Sequence, residues 1–257
     1  MIHSPRPIEF SLFQKVCLTI GQVVEVKQNP SALQAAYLMK LAFSDSLNQE
    51  HKTLYKKNGY SSSAQLCANH RTEDLVNQKL LAIINFRRMQ IGKSMSDCLT
   101  IGVQKDTDNS ELKKASTVFV KPSSDLVPLG SKVSLFAEEE IFETNPRDLS
   151  WAEFSCLDLR IGTLLECQGL IPLSETINKV FFGIDLGEGV KRCVSLLHHE
   201  ISPDHLIGKQ VLVLTNLNEE DKSKLFDASP NDVILCTIAG RSVLEPALRV
   251  DNGFKLA

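Results

Sequence analysis

Two adjacent arginines, Arg87 and Arg88, follow directly on Asn85 and Phe86 at the close of a short apolar run, Lys79-Leu-Leu-Ala-Ile-Ile. Guanidinium groups just past a strand end can grip oxyanions, while nearby amides and hydroxyls set register with short neutral hydrogen bonds. Lys52, Lys56 and Lys57 add positive charge in the polar stretch upstream. A solvated surface pair is the ordinary alternative for such arginines. The other reactive residue types lead less far. His198 and His199 are neighbours, and neighbouring side chains on a strand leave by opposite faces, so a surface turn suits them better than a metal site. Seven cysteines, at 17, 67, 98, 156, 167, 193 and 236, are odd in number and form no Cys-x-x-Cys pair. They read as inert thiols of a reducing, cytoplasmic compartment. No Gly-x-x-x-x-Gly-Lys-Ser/Thr, Gly-x-Gly-x-x-Gly, His-Glu-x-x-His or Gly-x-Ser-x-Gly pattern occurs. The chain is therefore read as non-enzymatic, with no catalytic residue, cofactor or metal.

The elements that would position these groups occur twice. Phe13-Gln-Lys-Val-Cys-Leu18-Thr-Ile20-Gly21-Gln-Val-Val-Glu25 returns as Phe154-Ser-Cys-Leu-Asp-Leu159-Arg-Ile161-Gly162-Thr-Leu-Leu-Glu166, an offset of 141. Leu75 to Phe86 returns as Leu206 to Leu217 at an offset of 131, and Pro122…Gly130-Ser-Lys132 returns as Pro246…Gly253-Phe-Lys255. A period of this size means two copies of one small domain. The boundaries predicted are 1–136 for the first copy, 137–147 for an acidic linker and 148–257 for the second. A length of 257 residues accommodates two domains, each able to bury a core. The first copy holds 17 Lys/Arg against 11 Asp/Glu and the second, from 147, holds 11 against 16. A polyanion should therefore prefer the first. No apolar run is long enough for a membrane span, and the start lacks a signal-like stretch.

Each copy reads as strand-rich. Leu18, Ile20, Gln22, Val24 and Val26 alternate onto one face, and Leu159, Ile161, Thr163, Leu165 and Cys167 repeat that phase. Lys79–Ile84 and Gln210–Thr215 are buried-type strands, as are the runs from Cys98 and Val233. Val118–Pro122 and Ser242–Pro246 end in prolines that would interrupt a central ladder. Short helices are predicted before each first strand, with Asp148 or Ser150 as the second one's N-cap, and turns at 72–75 and 202–206. Many short strands with one interposed helix predict an all-β chain with short helices, arranged as two tandem five-stranded barrels.

With these motifs in hand the chain resembles the tRNA-binding OB-fold domain family. The carriers are the entry helix, Leu-x-Ile-Gly-x-x-x-Glu, a Ser-containing turn, Leu-Ile-Gly-Lys, a strand closing in Asn-Leu, and the final Pro…Gly-x-Lys. The first copy is most similar to the CsaA-type secretion-chaperone branch, through Asn29-Pro-Ser-Ala, Ser61–Asn69, Ile84–Gly92 and Ser96–Gly102. The resemblance implies an RNA-facing surface of Ser62, Ser63, Asn85, Arg87, Arg88 and Ser96, with Lys56 and Lys57 beside it. Its weaker second-copy equivalents are Ser195, Asn216, Lys222 and Lys224. The chain departs from the pattern at Leu33-Gln34 and Met95, where relatives commonly carry base. It departs again at Pro230, aligned with Ser96, and at the acidic run Glu219–Asp221. Partners implied are tRNA, with an aminoacyl-tRNA synthetase or an unfolded polypeptide as a further one. Because single-domain relatives pair as dimers, an in-chain pseudo-dimer is expected. One Trp and three Tyr argue against an extended stacking platform.

Overall fold

The computed structural model describes residues 5–30, 36–43, 59–91, 93–105, 116–137 and 149–256. Lys52, Lys56, Lys57, Leu33, Gln34 and most of the acidic linker lie outside the described residues. The fold is all-β with short helices. After helix α1 (Phe10–Lys15) come β1 (Leu18–Gln28), β2 (Tyr37–Ala42) and β3 (Tyr60–Ala64), then α2 (Thr72–Leu75) and β4 (Lys79–Ile83). A hairpin of β5 (Met89–Ile91) and β6 (Ser94–Ser96) leads to β7 (Leu99–Thr100), β8 (Gly102–Gln104) and β9 (Thr117–Pro122). The second half repeats the plan: α3 (Trp151–Cys156), β10 (Leu159–Pro172), β11 (Ile177–Asp185), β12 (Val190–His198), a 3-10 turn at Pro203–Leu206 and β13 (Gln210–Leu214). Helix α4 (Glu219–Phe226) replaces the hairpin, followed by β14 (Val233–Leu235), β15 (Thr237–Ile238) and β16 (Ser242–Pro246). Of the two N-cap candidates, Asp148 lies outside the described residues and Ser150 caps α3, in a reciprocal capping box with Glu153.

Both halves have one strand order, β3-β2-β1-β4-β7 and β12-β11-β10-β13-β14, but only the second closes as a barrel. Closure comes from the parallel pairs Cys193↔Val233 and Val194↔Ile234. Two closed barrels were expected; in the first, no β3–β7 ladder forms among the described residues. The Ser62 side chain and isolated backbone bonds bridge that seam instead. Ser62 Oγ accepts from Thr100 N at 3.1 Å and meets Thr100 Oγ1 at 2.9 Å, while Asp97 N donates to Ser61 O at 2.7 Å.

The repeated motif has a packing reason. A Cβ on Gly21 would meet the Phe43 ring at 2.7 Å, and one on Gly162 would meet Leu186 Cδ2 at 2.6 Å and Asp185 O at 2.8 Å. The expected alternation fails beyond it. Register shifts between Val23 and Glu25, and between Leu164 and Glu166, so a bulge sits at the same place in each copy. Leu18 and Ile20 are buried between the copies as their phase predicts. Past the bulge the faces exchange, because one extra residue reverses a period of two. Val24 and Leu165 are exposed, whereas Val26 and Cys167 pack on the inner clusters of their own halves.

The two halves are joined by reciprocal contacts. Ile8 bridges Leu217 and Leu149 bridges Phe86, the same two sequence positions exchanged between copies. Strands β9 and β16 pair antiparallel across the junction (Leu244↔Pro122, Glu245↔Lys121, Pro246↔Val120), which accounts for their prolines: neither lies in a barrel interior. Between them runs a hydrophobic cluster drawn from both halves, including Phe13, Ile20, Leu81, Val120, Phe154, Ile161, Leu212 and Leu244. It is separate from the inner cluster of either sheet.

Candidate nucleic-acid interface

Asn85, two residues past the end of β4, is almost fully buried. Its Oδ1 accepts from Cys17 N at 3.1 Å and its Nδ2 donates to Lys15 O at 2.8 Å. Asn216 does the same in the second half, accepting from Asp158 N at 2.9 Å and donating to Cys156 O and Arg6 O, both at 2.8 Å. Each asparagine thus clips the end of an entry helix to the end of the middle strand. Such a donor–acceptor pair on one short side chain satisfies buried backbone groups that would otherwise cost stability. The amides of Asn85 and Asn216 are thus engaged by the chain's own backbone.

The chain leaves this clip as Phe86-Arg87-Arg88. Arg87 is exposed. Arg88, half-exposed, has its Nε 2.9 Å from Asp97 Oδ1. Asp97 also takes Ser61 Oγ at 2.8 Å and Ser61 N at 3.2 Å on its other oxygen. The arginine is thereby tethered across the base of the β5–β6 hairpin. Ser62 is fully buried in the seam already described. Ser63 N donates to Ser96 Oγ at 3.1 Å, and Ser63 Oγ accepts from Asn29 Nδ2 at 3.1 Å. The structure therefore brings Ser62, Ser63, Ser96, Arg87 and Arg88 together at one end of the sheet. It commits Ser62 and Ser96 to internal bonds and leaves the arginines outward.

In the second half the register changes the equivalences. Val213 pairs with Leu235 as Ala82 pairs with Thr100, which sets Asn231, not Pro230, opposite Ser96 and sets Asp232 opposite Asp97. On β12 the same logic aligns Cys193 with Ser62 and Ser195 with Ala64. Ser195 is buried, and its hydroxyl has no hydrogen-bond partner among the described residues. Lys222 is likewise withdrawn: it is 4% exposed and its Nζ donates to Pro230 O at 2.7 Å. Burial lowers its pKa from the usual lysine value. Lys224 is exposed on α4.

Sequence reasoning missed a basic and aromatic group on the paired strands β11 and β12. Arg192 makes a two-pronged contact with Asp232 at 3.0 and 2.7 Å. Buried Lys179 bonds Asp227 O and Oδ2, both at 3.0 Å. Both cations lie over the Phe181 ring, 5.0 and 5.2 Å from its centre. A lysine directly before the apolar run Val180-Phe181-Phe182 was the available signal. Carboxylates already occupy these cations. His198, His199 and Glu200 also converge, their ligand-type atoms within 4.8 Å of one another. Arg241 reaches His198 Nε2 and Glu200 Oε2, each at 3.0 Å. A guanidinium so placed repels a divalent cation.

No family model matches the chain. Among curated proteins it is similar to methionine–tRNA ligases. That of Methanoregula boonei is 32% identical over 108 residues, covering 42% of this chain and 15% of the ligase. That of Porphyromonas gingivalis is 37% identical over 70 residues, covering 27% and 10%. The chain thus spans a small fraction of the length of these relatives. Among solved structures, the CsaA chaperone of Picrophilus torridus shares 25% identity, covering 49% of this chain and 99% of that one, at a TM-score of 0.39. The C-terminal domain of Plasmodium vivax p43 shares 14%, covering 71% and 92%, at 0.42. Over these segments the chain is thus similar to parts of methionine–tRNA ligases.

Proposed function

We propose that this is a non-catalytic tRNA-binding protein, acting as a carrier or as a cofactor that presents tRNA to an aminoacyl-tRNA synthetase. The carrying observation is the placement of Arg87 and Arg88, outward at the end of a strand fixed by the Asn85 clip, in a chain whose sequence matches segments of methionine–tRNA ligases. Ser63 extends the surface, and Lys56 and Lys57, which lie outside the described residues, are proposed to add charge to it. The first copy carries most of the RNA affinity. In the second, Arg192 and Lys179 are neutralised by Asp232 and Asp227, and Glu219, Glu220 and Asp221 start α4. That copy serves as docking partner in an in-chain pseudo-dimer.

A salt titration of binding to total tRNA tests this reading. With four or five cations reaching phosphates, the logarithmic slope should be about −3 to −5. A second reading, a chaperone-like module that binds unfolded peptide, draws on exposed Met95 and on the tip of the β10–β11 hairpin. There Leu170, Ile171 and Leu173 are 44%, 49% and 55% exposed. Binding that is flat or strengthened with salt would favour it.

A further inference from the structure

The chain's one tryptophan, Trp151, is the first residue of α3 and is 54% exposed. It stands at the junction of the copies. Its ring lies 6.0 Å from Phe86, the residue before Arg87, and 5.6 Å from Phe154. The indole also lines a cleft of about 360 Å³, together with Gln104 from the first half and Phe154, Ser155, Phe254 and Lys255 from the second. An exposed indole beside an open cleft carries a large apolar surface left in water.

The position related to it by the exchange of copies shows what such a cleft accepts. Phe10 opens α1 as Trp151 opens α3, and Lys132 bridges Thr19 as Lys255 bridges Arg160. On that side a planar ring fills the space. Phe136 meets Phe10 edge-on at 5.3 Å and stacks on Phe226 at 5.1 Å. On the Trp151 side the surroundings are mixed in charge. Lys255, 44% exposed, donates to Ser155 O at 3.2 Å and lies 3.9 Å from Asp158. Glu153 is engaged by Lys15 at 2.7 Å and by the Ser150 cap. Arg87 follows immediately on Phe86.

We propose that Trp151 and its cleft receive one unpaired nucleobase of the bound RNA, stacked on the indole, with the adjoining phosphates between Lys255 and Arg87. A flat aromatic face flanked by cations suits a nucleotide, since stacking takes any base while the cations take the backbone. The site is composite: Phe86, Arg87 and Gln104 come from one copy, Trp151 and Lys255 from the other. A single unpaired base also agrees with a chain poor in aromatics that binds folded RNA. The inference rests on the proposed tRNA-binding function.

Because the tryptophan is single, its fluorescence reports the site directly. Total tRNA is titrated into the full chain while emission and filter retention are followed together, for the parent, Trp151→Ala and Trp151→Phe. Trp151 lies outside the core and the Ser150–Glu153 cap is untouched, so both variants should melt near the parent. Expected are quenching that tracks retention, a loss of at least about fivefold in affinity for Trp151→Ala, and a smaller loss for Trp151→Phe. Retention without any change in emission, and with Trp151→Ala within twofold of the parent, overturns the stacking site while leaving tRNA binding intact. No retention of tRNA by the parent overturns both.

Discussion

Lys222 lies beneath α4 with its ammonium on the Pro230 carbonyl, and that placement separates its effect on folding from any effect on binding. Lys222→Ala leaves a carbonyl without its partner and should cost about 1–3 kcal/mol of stability by denaturant unfolding, with tRNA affinity unchanged. Arg87→Ala with Arg88→Ala should do the reverse: binding at fixed salt falls by about 1–3 kcal/mol, and stability moves little because the Arg88–Asp97 pair is half-exposed. A larger binding loss from removing Lys222 and Lys224 would assign the face to the wrong copy. His70 sets a pH dependence. It is buried against Phe119, its Nε2 has no partner among the described residues, and burial lowers its pKa from the usual 6.5. The unfolded chain then takes up a proton that the folded chain refuses, so stability falls as pH drops through about 6.5 toward the lowered value. His70→Asn should flatten the unfolding midpoint between pH 7 and 5. Glu25 and Glu153, each held down to about 2 by lysine hydrogen bonds above all, act in a separate window below about 4.5.

At the scale of elements, the Asn clips tie each entry helix to a middle strand, and the chemistry needs an amide. Asn85→Asp keeps an acceptor for Cys17 N but loses the donor to Lys15 O, so it should destabilise by about 1–3 kcal/mol. Equilibrium unfolding should show a shifted midpoint at constant slope, and a variant as stable as the parent would remove the clip from the account. The repeat made these elements legible. Helices at 10–15 and 151–156, the turn at 72–75 and the strands from Leu18, Lys79, Leu159 and Gln210 all follow from apolar period and motif. The bulges at Val24 and Leu165 did not show, because Val-Val-Glu and Leu-Leu-Glu alternate acceptably in either phase. The seam was hidden for a related reason: Ser62 replaces a backbone ladder with a side chain, and hydroxyls in a strand look like exposed polar residues. At the site, Arg87 and Arg88 stood out by type. The commitment of Asn85, Asn216 and Lys222 could not, since burial of a polar side chain depends on partners distant in sequence.

Across the whole molecule, the shared cluster and the β9–β16 pairing make each half part of the other's core. Linkage within one chain supplies roughly millimolar effective concentration for that interface, so the protein should sediment as a monomer and unfold in a single transition. At the centre of the β9–β16 ladder, Lys121 pairs with Glu245, and the two hold the same place in their respective copies, each one residue before the closing proline. Their charged groups are 3.7 Å apart. If two first copies met by this strand, Lys121 would face Lys121; two second copies would set Glu245 against Glu245. The opposite charges thus favour pairing of unlike copies within the chain over pairing of like copies between chains. Like charges directly opposite on paired strands are destabilising, so Lys121→Glu and Glu245→Lys should each lower stability by about 0.2–1 kcal/mol. Their combination, which restores an opposite pair with its ends exchanged, should recover most of the loss. The cycle is read as unfolding free energies of four full-length proteins. A double variant no more stable than the sum of the singles predicts would mean that the pair contributes nothing to holding the copies together.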